Sequence, residues 1–328
     1  MAAAATMVGM RRGLPPLHGP ALSVAKRIAS ILVVAALGGG AWMPAAAQAA
    51  RFVSPAAGEI VAGHTDVTHV LAVELLPAVA NAAGLPERGL SSADFVVLDD
   101  GEPAQITTFA EDSTPLSVAL LVDRSVSMTE RLEGVRESAG RFLESLAPVD
   151  RVAVWAFDLG WTQIAPWQAP GPAAIQALRA LEARGSTSLY DSVAAVLDDM
   201  RGAPGRRMLV LLSDGRDVRS THRLGDLLER ARVSDTAIYA ISTVPTTASA
   251  PREDLALLAR ESGGRYFEAH GRRDLDRALA SVLEEARSRY ALTFAPASLR
   301  PGEHQVTVLV RGGELEVRHR RSFVLASR

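Results

Sequence analysis

The chain has 328 residues, 48% of them hydrophobic, 22% charged and 5% aromatic. That length makes room for two or three packed units, and the composition excludes a disordered polar tail, a collagen-like repeat and a multi-span membrane protein. A formal charge of −2 argues against a broad basic face for nucleic acid, and the absence of cysteine excludes disulfides, thiolate metal sites and a thiol nucleophile.

Residues 1–50 carry Arg11, Arg12, Lys26 and Arg27 and no acid, which leaves 31 basic and 37 acidic residues for the rest. An uncharged run over 28–37 follows, then Gly38-Gly39-Gly40, and Ala47-Gln48-Ala49 closes the segment with an A-x-A pattern. A basic start, a short apolar heart and a small-residue cleavage site predict a secretory signal cut near Ala49. The alternative is an uncleaved anchor, because 28–50 is also long enough to span a bilayer. Both place the body outside the cytoplasm, in the periplasm, the medium or at the cell surface, and membrane contact is expected only if the segment is retained.

Residues 51–114 read as a small β unit. A strand is expected over 66–75. Two β-prone runs, 94–99 and 105–109, flank Asp100-Gly101 and predict a hairpin with a longer turn. From Leu116 short apolar runs alternate with helical patterns up to residue 290. Strands are expected at 116–122, 151–157, 162–167, 207–213, 236–244 and 265–268. Helices are expected at 132–146, 173–183, 189–200, 223–233, 253–262 and 274–289. This alternation predicts a doubly wound, mostly parallel α/β sheet covered on both faces. The tail, 291–328, is β again. Strands are expected at 290–294, 304–310 and 314–319, the last two joined at Gly312-Gly313, and the β segments from the two ends are expected to flank the α/β domain.

Three fragments carry chemistry. Asp123-Arg124-Ser125-Val126-Ser127 directly follows the first buried strand. Gly185-Ser-Thr187-Ser-Leu-Tyr-Asp191 opens the 189–200 helix. Asp214-Gly215 follows the buried strand ending at Ser213. Asp123, Ser125, Ser127, Thr187 and Asp214 offer two carboxylates and three hydroxyls, all hard oxygen ligands that suit Mg²⁺ or Mn²⁺. Ser125 and Ser127 would ligate directly. Thr187 would ligate directly or through water, and Asp123 and Asp214 directly or by holding bound waters. The ion would keep an open position for an acidic side chain of a partner. In a strand order 3-2-1-4-5-6 the switch point lies between the strands that Asp123 and Asp214 end, where ligands of open α/β sheets bind. Each fragment also has a plainer reading: capping boxes at Ser127/Glu130 and Ser188/Asp191, an N-cap at Thr187, and an ordinary turn at Asp214-Gly215.

The same residues carry a family resemblance. Residues 118–128, 185–191 and 211–215 resemble the three motifs of a von Willebrand factor type A domain, over roughly 115–290. The resemblance implies a metal-ion-dependent adhesion site with the roles given above. The flanks, 90–109 and Gly263-Gly-Arg-Tyr-Phe267 with Ser288-Arg-Tyr-Ala-Leu292, resemble a bacterial exported group of related proteins. Two positions depart from the family's pattern. Val126 stands where glycine is usual, and glycine eases a tight turn. Arg124 stands where a small or polar residue is usual, and it is expected either to weaken cation binding or to bridge an acidic ligand.

Other features weigh less. Asp158-Leu-Gly-Trp161 is expected on the metal rim, where Arg124, Asp158 and Trp161 are candidate partner contacts; the tryptophans at 155, 161 and 167 equally suit packing under a β-hairpin. A second rim loop is expected at 246–251. Glu284, Glu285, Arg287 and Arg289 read as an exposed, ion-paired helix face, and Arg311, Arg318, His319, Arg320 and Arg321 as a basic, solvated strand face. No G-x-S-x-G elbow, H-E-x-x-H or Walker loop is present, and Lys26 is the single lysine. The sequence therefore reads as a non-enzymatic exported binding protein for a protein or peptide with an exposed Asp or Glu. The alternatives are an envelope scaffold with a degenerate metal site and, less favoured, a metal-assisted hydrolase.

Overall fold

The computed structural model describes residues 72–243, 249–312 and 314–326. The expected signal at 1–50, the first part of the strand expected at 66–75 and loop residues 246–248 lie outside the described residues. No described helix is long and apolar enough to cross a membrane.

Strands β1 (Val73–Leu75), β2 (Ala78–Ala80), β3 (Phe95–Asp99) and β4 (Glu102–Glu111) precede the α/β region. β3 and β4 pair antiparallel, with Asp99 opposite Glu102. The turn between them is shorter than the sequence suggests. It is the two residues Asp100 and Gly101 alone, both at positive φ (49° and 86°), as the twist of a tight hairpin requires.

The α/β region holds β5 (Leu116–Asp123), β6 (Arg151–Phe157), β7 (Trp161–Gln168), β8 (Arg206–Ser213), β9 (Ala237–Ser242) and β10 (Tyr266–Glu268). They form one sheet in the order β10-β9-β8-β5-β6-β7. Every neighbouring pair is parallel except β6 and β7, so this is the doubly wound, mostly parallel sheet that the alternation predicts. Central strand β5 is buried along its whole length, which is why it reads as a near-continuous apolar run.

Helices α1 (Leu132–Glu144), α2 (Pro172–Arg179) and α6 (Arg272–Ala286) cover one face, and α3 (Leu189–Met200), α4 (Leu224–Val233) and α5 (Ser249–Glu261) the other. Val118, Leu120 and Val122 point to the first face, into Val135, Ala139 and Phe142 of α1 and Leu275, Leu279 and Val282 of α6. Ala119 and Leu121 point to the second, against Val193 and Leu197 of α3 and Leu255 and Leu258 of α5. Period-two alternation along β5 thus feeds two cores.

The tail supplies β11 (Tyr290–Ala295), β12 (Gly302–Val310), β13 (Glu316–Arg318) and β14 (Ser322–Leu325). An antiparallel sheet runs β1-β11-β4-β3-β12-β14, so strands from both flanks interleave around a third core that includes Phe95, Tyr290, Phe294 and Phe323. β12 and β13 do not pair across Gly312. β13 instead pairs with β2, and β12 pairs with β3 and β14.

Two expectations about charge fail here. Glu285 and Arg289 are buried, not an exposed helix face. Arg289 donates to the Gly263 carbonyl (2.6 Å) and to Tyr239 Oη (2.9 Å), and Arg318 donates to Glu285 Oε2 (2.9 Å). Arg287 pairs with Asp150. Nor is the C-terminal basic run simply solvated. Arg320 reaches Asp235 (2.6 Å) and the Glu74 carbonyl (2.8 Å), and His319 Nε2 accepts from Val308 N–H (3.1 Å). Helical spacing and charge indicated solvent; in the folded chain these residues tie the tail to the base of the α/β sheet.

Candidate metal centre

The strand order puts the ends of β5 and β8 side by side at the point where chain direction through the sheet reverses. Asp123 is the last residue of β5 and Asp214 follows the last residue of β8. Both are enclosed, at 0% and 2% exposure. Asp123 Oδ1 accepts from Ser125 N–H (2.8 Å) and Oδ2 from Ser213 Oγ (2.7 Å). Ser213 Oγ in turn accepts from Gly215 N–H (3.0 Å). The Ser125 and Ser127 hydroxyls lie 3.0 Å apart, so the alternate serines of the first motif do point the same way. Ser125 and Thr187 are buried, while Ser127 is exposed.

The loops are sewn together by backbone bonds. Val126 N–H donates to Gly185 O (3.2 Å), Arg184 N–H to Arg124 O (2.7 Å), and Val218 N–H to Thr187 O (3.0 Å). Gly185 sits at φ +71°, and a Cβ there would lie 3.1 Å from the Asp158 Cβ. Glycine is what lets the Thr187 loop come this close.

Val126 adopts no positive φ. It begins a 3-10 turn, Val126–Met128, a conformation that a β-branched residue tolerates. Arg124 donates Nε to Asp158 Oδ2 (3.0 Å), and Arg184 Nε donates to the same oxygen (3.0 Å). Burial pushes the Asp158 carboxyl up, but Arg184, the Gly160 N–H and the Arg124 charge together hold it below its ordinary value. Arg124 and Asp158 are therefore enclosed and spent on each other. Of the three candidate contacts only Trp161 stands out into solvent, at 46% exposure. Trp155 is in the core, and Trp167 Nε1 donates to Asp199 (2.7 Å).

The turn reading holds at Asp214-Gly215, where Arg216 N–H donates to Asp214 Oδ1 (3.0 Å) and Gly215 sits at φ +80°, but the capping-box readings do not describe the side chains of the other two motifs. Helix α1 is capped by Arg131 without a side-chain bond, and Ser127 lies five residues before its first turn. Ser188 makes no side-chain cap; its Oγ donates to Leu159 O (3.1 Å). Asp217, which the sequence did not single out, caps α3 by accepting from Leu189 N–H (2.8 Å). Asp191 accepts from Thr221 N–H (2.9 Å) and His222 N–H (2.9 Å) and so holds the loop after Asp214. Ser213, Asp191 and Asp217 thus support the site. Asp191 and Ser213 lie within the motif stretches 185–191 and 211–215, whereas the signal for Asp217 is only its nearness to Asp214.

The donor set fits a hard divalent cation. Its five candidate side chains offer oxygen only. Asp123 and Asp214 face one another's charge, and the ion pair recorded for Asp214 among the described residues is exposed Arg216, at 4.0 Å. Desolvation, offset in part by the serines, pushes the Asp123 carboxyl up to about 6. A cation there would relieve that cost. A second cluster, Asp99, Asp100 and His304, does not offer the same. His304 Nδ1 faces Asp99 Oδ1 (2.9 Å) and Nε2 faces Arg300 O (2.7 Å). Each ring nitrogen faces an acceptor, so a protonated imidazole is satisfied there by Asp99 and the Arg300 carbonyl without an ion.

The von Willebrand factor type A domain family matches residues 118–216, the stretch from the body of β5 to just past Asp214. The chain carries a von Willebrand factor type A domain, flanked by antiparallel strands. Among solved structures it is similar to a von Willebrand factor type A protein from Catenulispora acidiphila, at 14% identity over 77% of this chain and 75% of that one, with a TM-score of 0.48. It is also similar to the vWF domain of the type V pili tip protein Mfa5 from Porphyromonas gingivalis, at 13% identity over 53% and 95%, TM-score 0.47. BatB, a conserved hypothetical protein from Bacteroides thetaiotaomicron, matches at 14% identity over 53% and 100%, TM-score 0.42. No curated protein matches the sequence.

Proposed function

We propose that this protein is an exported binding protein that engages a protein or peptide partner through a divalent cation. In this reading Ser125, Ser127 and Thr187 hold Mg²⁺ or Mn²⁺, with Asp123 and Asp214 contributing directly or through bound waters. An Asp or Glu of the partner completes the coordination. Residues 1–50 serve as the export signal or anchor, 51–114 and 291–328 as the β flanks, and 115–290 as the binding domain. The observation that carries the reading is the pair of enclosed carboxylates at adjacent strand ends, beside two hydroxyls 3.0 Å apart. Buried charges are ordinarily paired or bound to metal.

The test is a thermal melt of the full chain in EDTA, Mg²⁺ and Mn²⁺, beside Asp123→Ala. A ligand that binds only the folded state at about 100 times its Kd adds about 2.7 kcal/mol. The expected result is a metal-dependent rise in melting temperature that the variant lacks. Equal melts in all three solutions would overturn the metal-bridging reading and favour a scaffold whose contacts come from the β flanks.

A further inference from the structure

The candidate metal centre is ringed by apolar side chains that the fold leaves uncovered. Val126, Leu159, Trp161 and Val218 are between 46% and 62% exposed. They make up four of the ten large apolar side chains exposed among the described residues, and they sit on the loops that frame one site. Three are tied to the stretch 185–188: Val126 N–H to Gly185 O, Val218 N–H to Thr187 O, and Leu159 O to Ser188 Oγ. Trp161 pairs across from Phe157, the strand partner of Asp123. Exposed large apolar side chains scattered singly need no explanation; grouped ones mark interaction sites.

Charge on the same loops is sorted. The carboxylates of 123–128, 158–161 and 214–220 are all drawn into the structure. Asp123 and Asp214 are buried, Asp158 is held by two arginines, and Asp217 caps α3. The side chains of Arg184 and Arg216 are exposed, Arg184 with its Nε on Asp158 and Arg216 with its Nε 4.0 Å from Asp214. Along these three stretches the surface therefore presents apolar groups and arginine with the acids beneath; the exposed acids Glu130 and Glu182 lie just outside them in the chain.

We infer that the rim selects a partner segment whose acidic residue is flanked by large apolar side chains. Val126, Leu159, Trp161 and Val218 would take the flanks, and Arg184 and Arg216 would favour further negative charge nearby. The inference rests on the metal reading and goes beyond it, because coordination alone would accept any exposed Asp or Glu. Apolar contact is non-directional and independent of the ion, so it supplies selectivity that metal ligation lacks.

The test is selection from a displayed library of random short peptides on the full chain in Mg²⁺, with elution by EDTA. Eluted peptides are then measured against wild type, a Leu159→Ser/Val218→Ser double variant and Asp123→Ala. The expected peptides carry Asp or Glu between large apolar residues. They should bind the double variant about tenfold more weakly, although that variant keeps the wild-type rise in melting temperature with Mg²⁺, and they should not bind Asp123→Ala. Acidic peptides without apolar neighbours, or undiminished binding to the double variant, would overturn the rim inference and leave the metal reading standing. Peptides that bind Asp123→Ala and wild type equally would overturn the metal reading itself. A selection with no EDTA-eluted peptide would overturn the rim inference, because the surface would then recognise no short segment.

Discussion

Asp123 occupies a place where a carboxylate is costly. Burial raises its pKa from 3.8 to about 6 even though two serines donate to it, and the charge of Asp214 adds to the effect. A displacement of this size corresponds to about 3 kcal/mol against the ionised form in the folded state. The sign follows. The unfolded chain gives up this proton first, so the metal-free protein loses stability as pH rises from 3.8 to about 6. Asp123→Asn should therefore melt above wild type in EDTA at pH 7.5, by about 2–5 °C, and below wild type in saturating Mg²⁺. A melting temperature lower than wild type in both solutions would contradict this account. Much of the site was legible at this scale, because D-x-S-x-S and Asp214-Gly215 fall at the ends of apolar runs. Ser213 was not legible: a serine closing a buried strand carries no sign that its hydroxyl turns to a neighbouring strand's carboxylate. Nor was the use of Arg124. Only the closed loops show that Asp158 takes it up, together with Arg184, leaving Trp161 to face solvent.

Single elements show what periodicity can and cannot carry. The α3 helix was expected over 189–200 and runs Leu189–Met200, because its apolar stripe and its boundaries coincide. β2 and β14 went unseen. They have 3 and 4 residues, too short for any period to register. β12 alternates cleanly and was expected, but its partners were not, since register depends on strands some 200 residues away. His304 on β12 and His319 beside that strand, in the link between β13 and β14, are shifted in opposite directions. Arg300 O and Asp99 raise the pKa of His304 above 6.5. Burial, with nearby arginines, lowers that of His319 to about 4. The stabilising share of His304 is complete below 6.5 and is lost as pH rises through its raised value. That of His319 is present above 6.5 and is lost as pH falls towards 4. Melting temperature followed against pH should show His304→Gln flattening the alkaline fall and His319→Gln flattening the acid fall. The same pH profile in both variants as in wild type would contradict the assignment.

At the scale of the whole molecule, the chain leaves one sheet, builds a second and returns to complete the first. The sequence showed β at both ends and α/β between, which was enough to expect the flanks to lie beside the central domain. It did not show that β11 would insert between β1 and β4, or that the return would run through buried charge. Glu285, Arg289 and Arg318 carry the spacing of a solvated helix and strand. Only long-range contact turns them inward, and removing one partner of such a buried group is strongly destabilising because it leaves the other charge unpaired. The base of the α/β sheet is thus committed to the β flanks, and the opposite end, with Asp123, Asp214 and the exposed apolar side chains, is not covered by them. The most direct measurement is a titration of the full chain with Mn²⁺, reading free ion by electron paramagnetic resonance, for wild type and Asp123→Ala. One ion bound per wild-type chain, displaced by Mg²⁺ and absent from the variant, is the predicted result. No bound ion in wild type, or one held equally by Asp123→Ala, would contradict the metal centre on which the account stands.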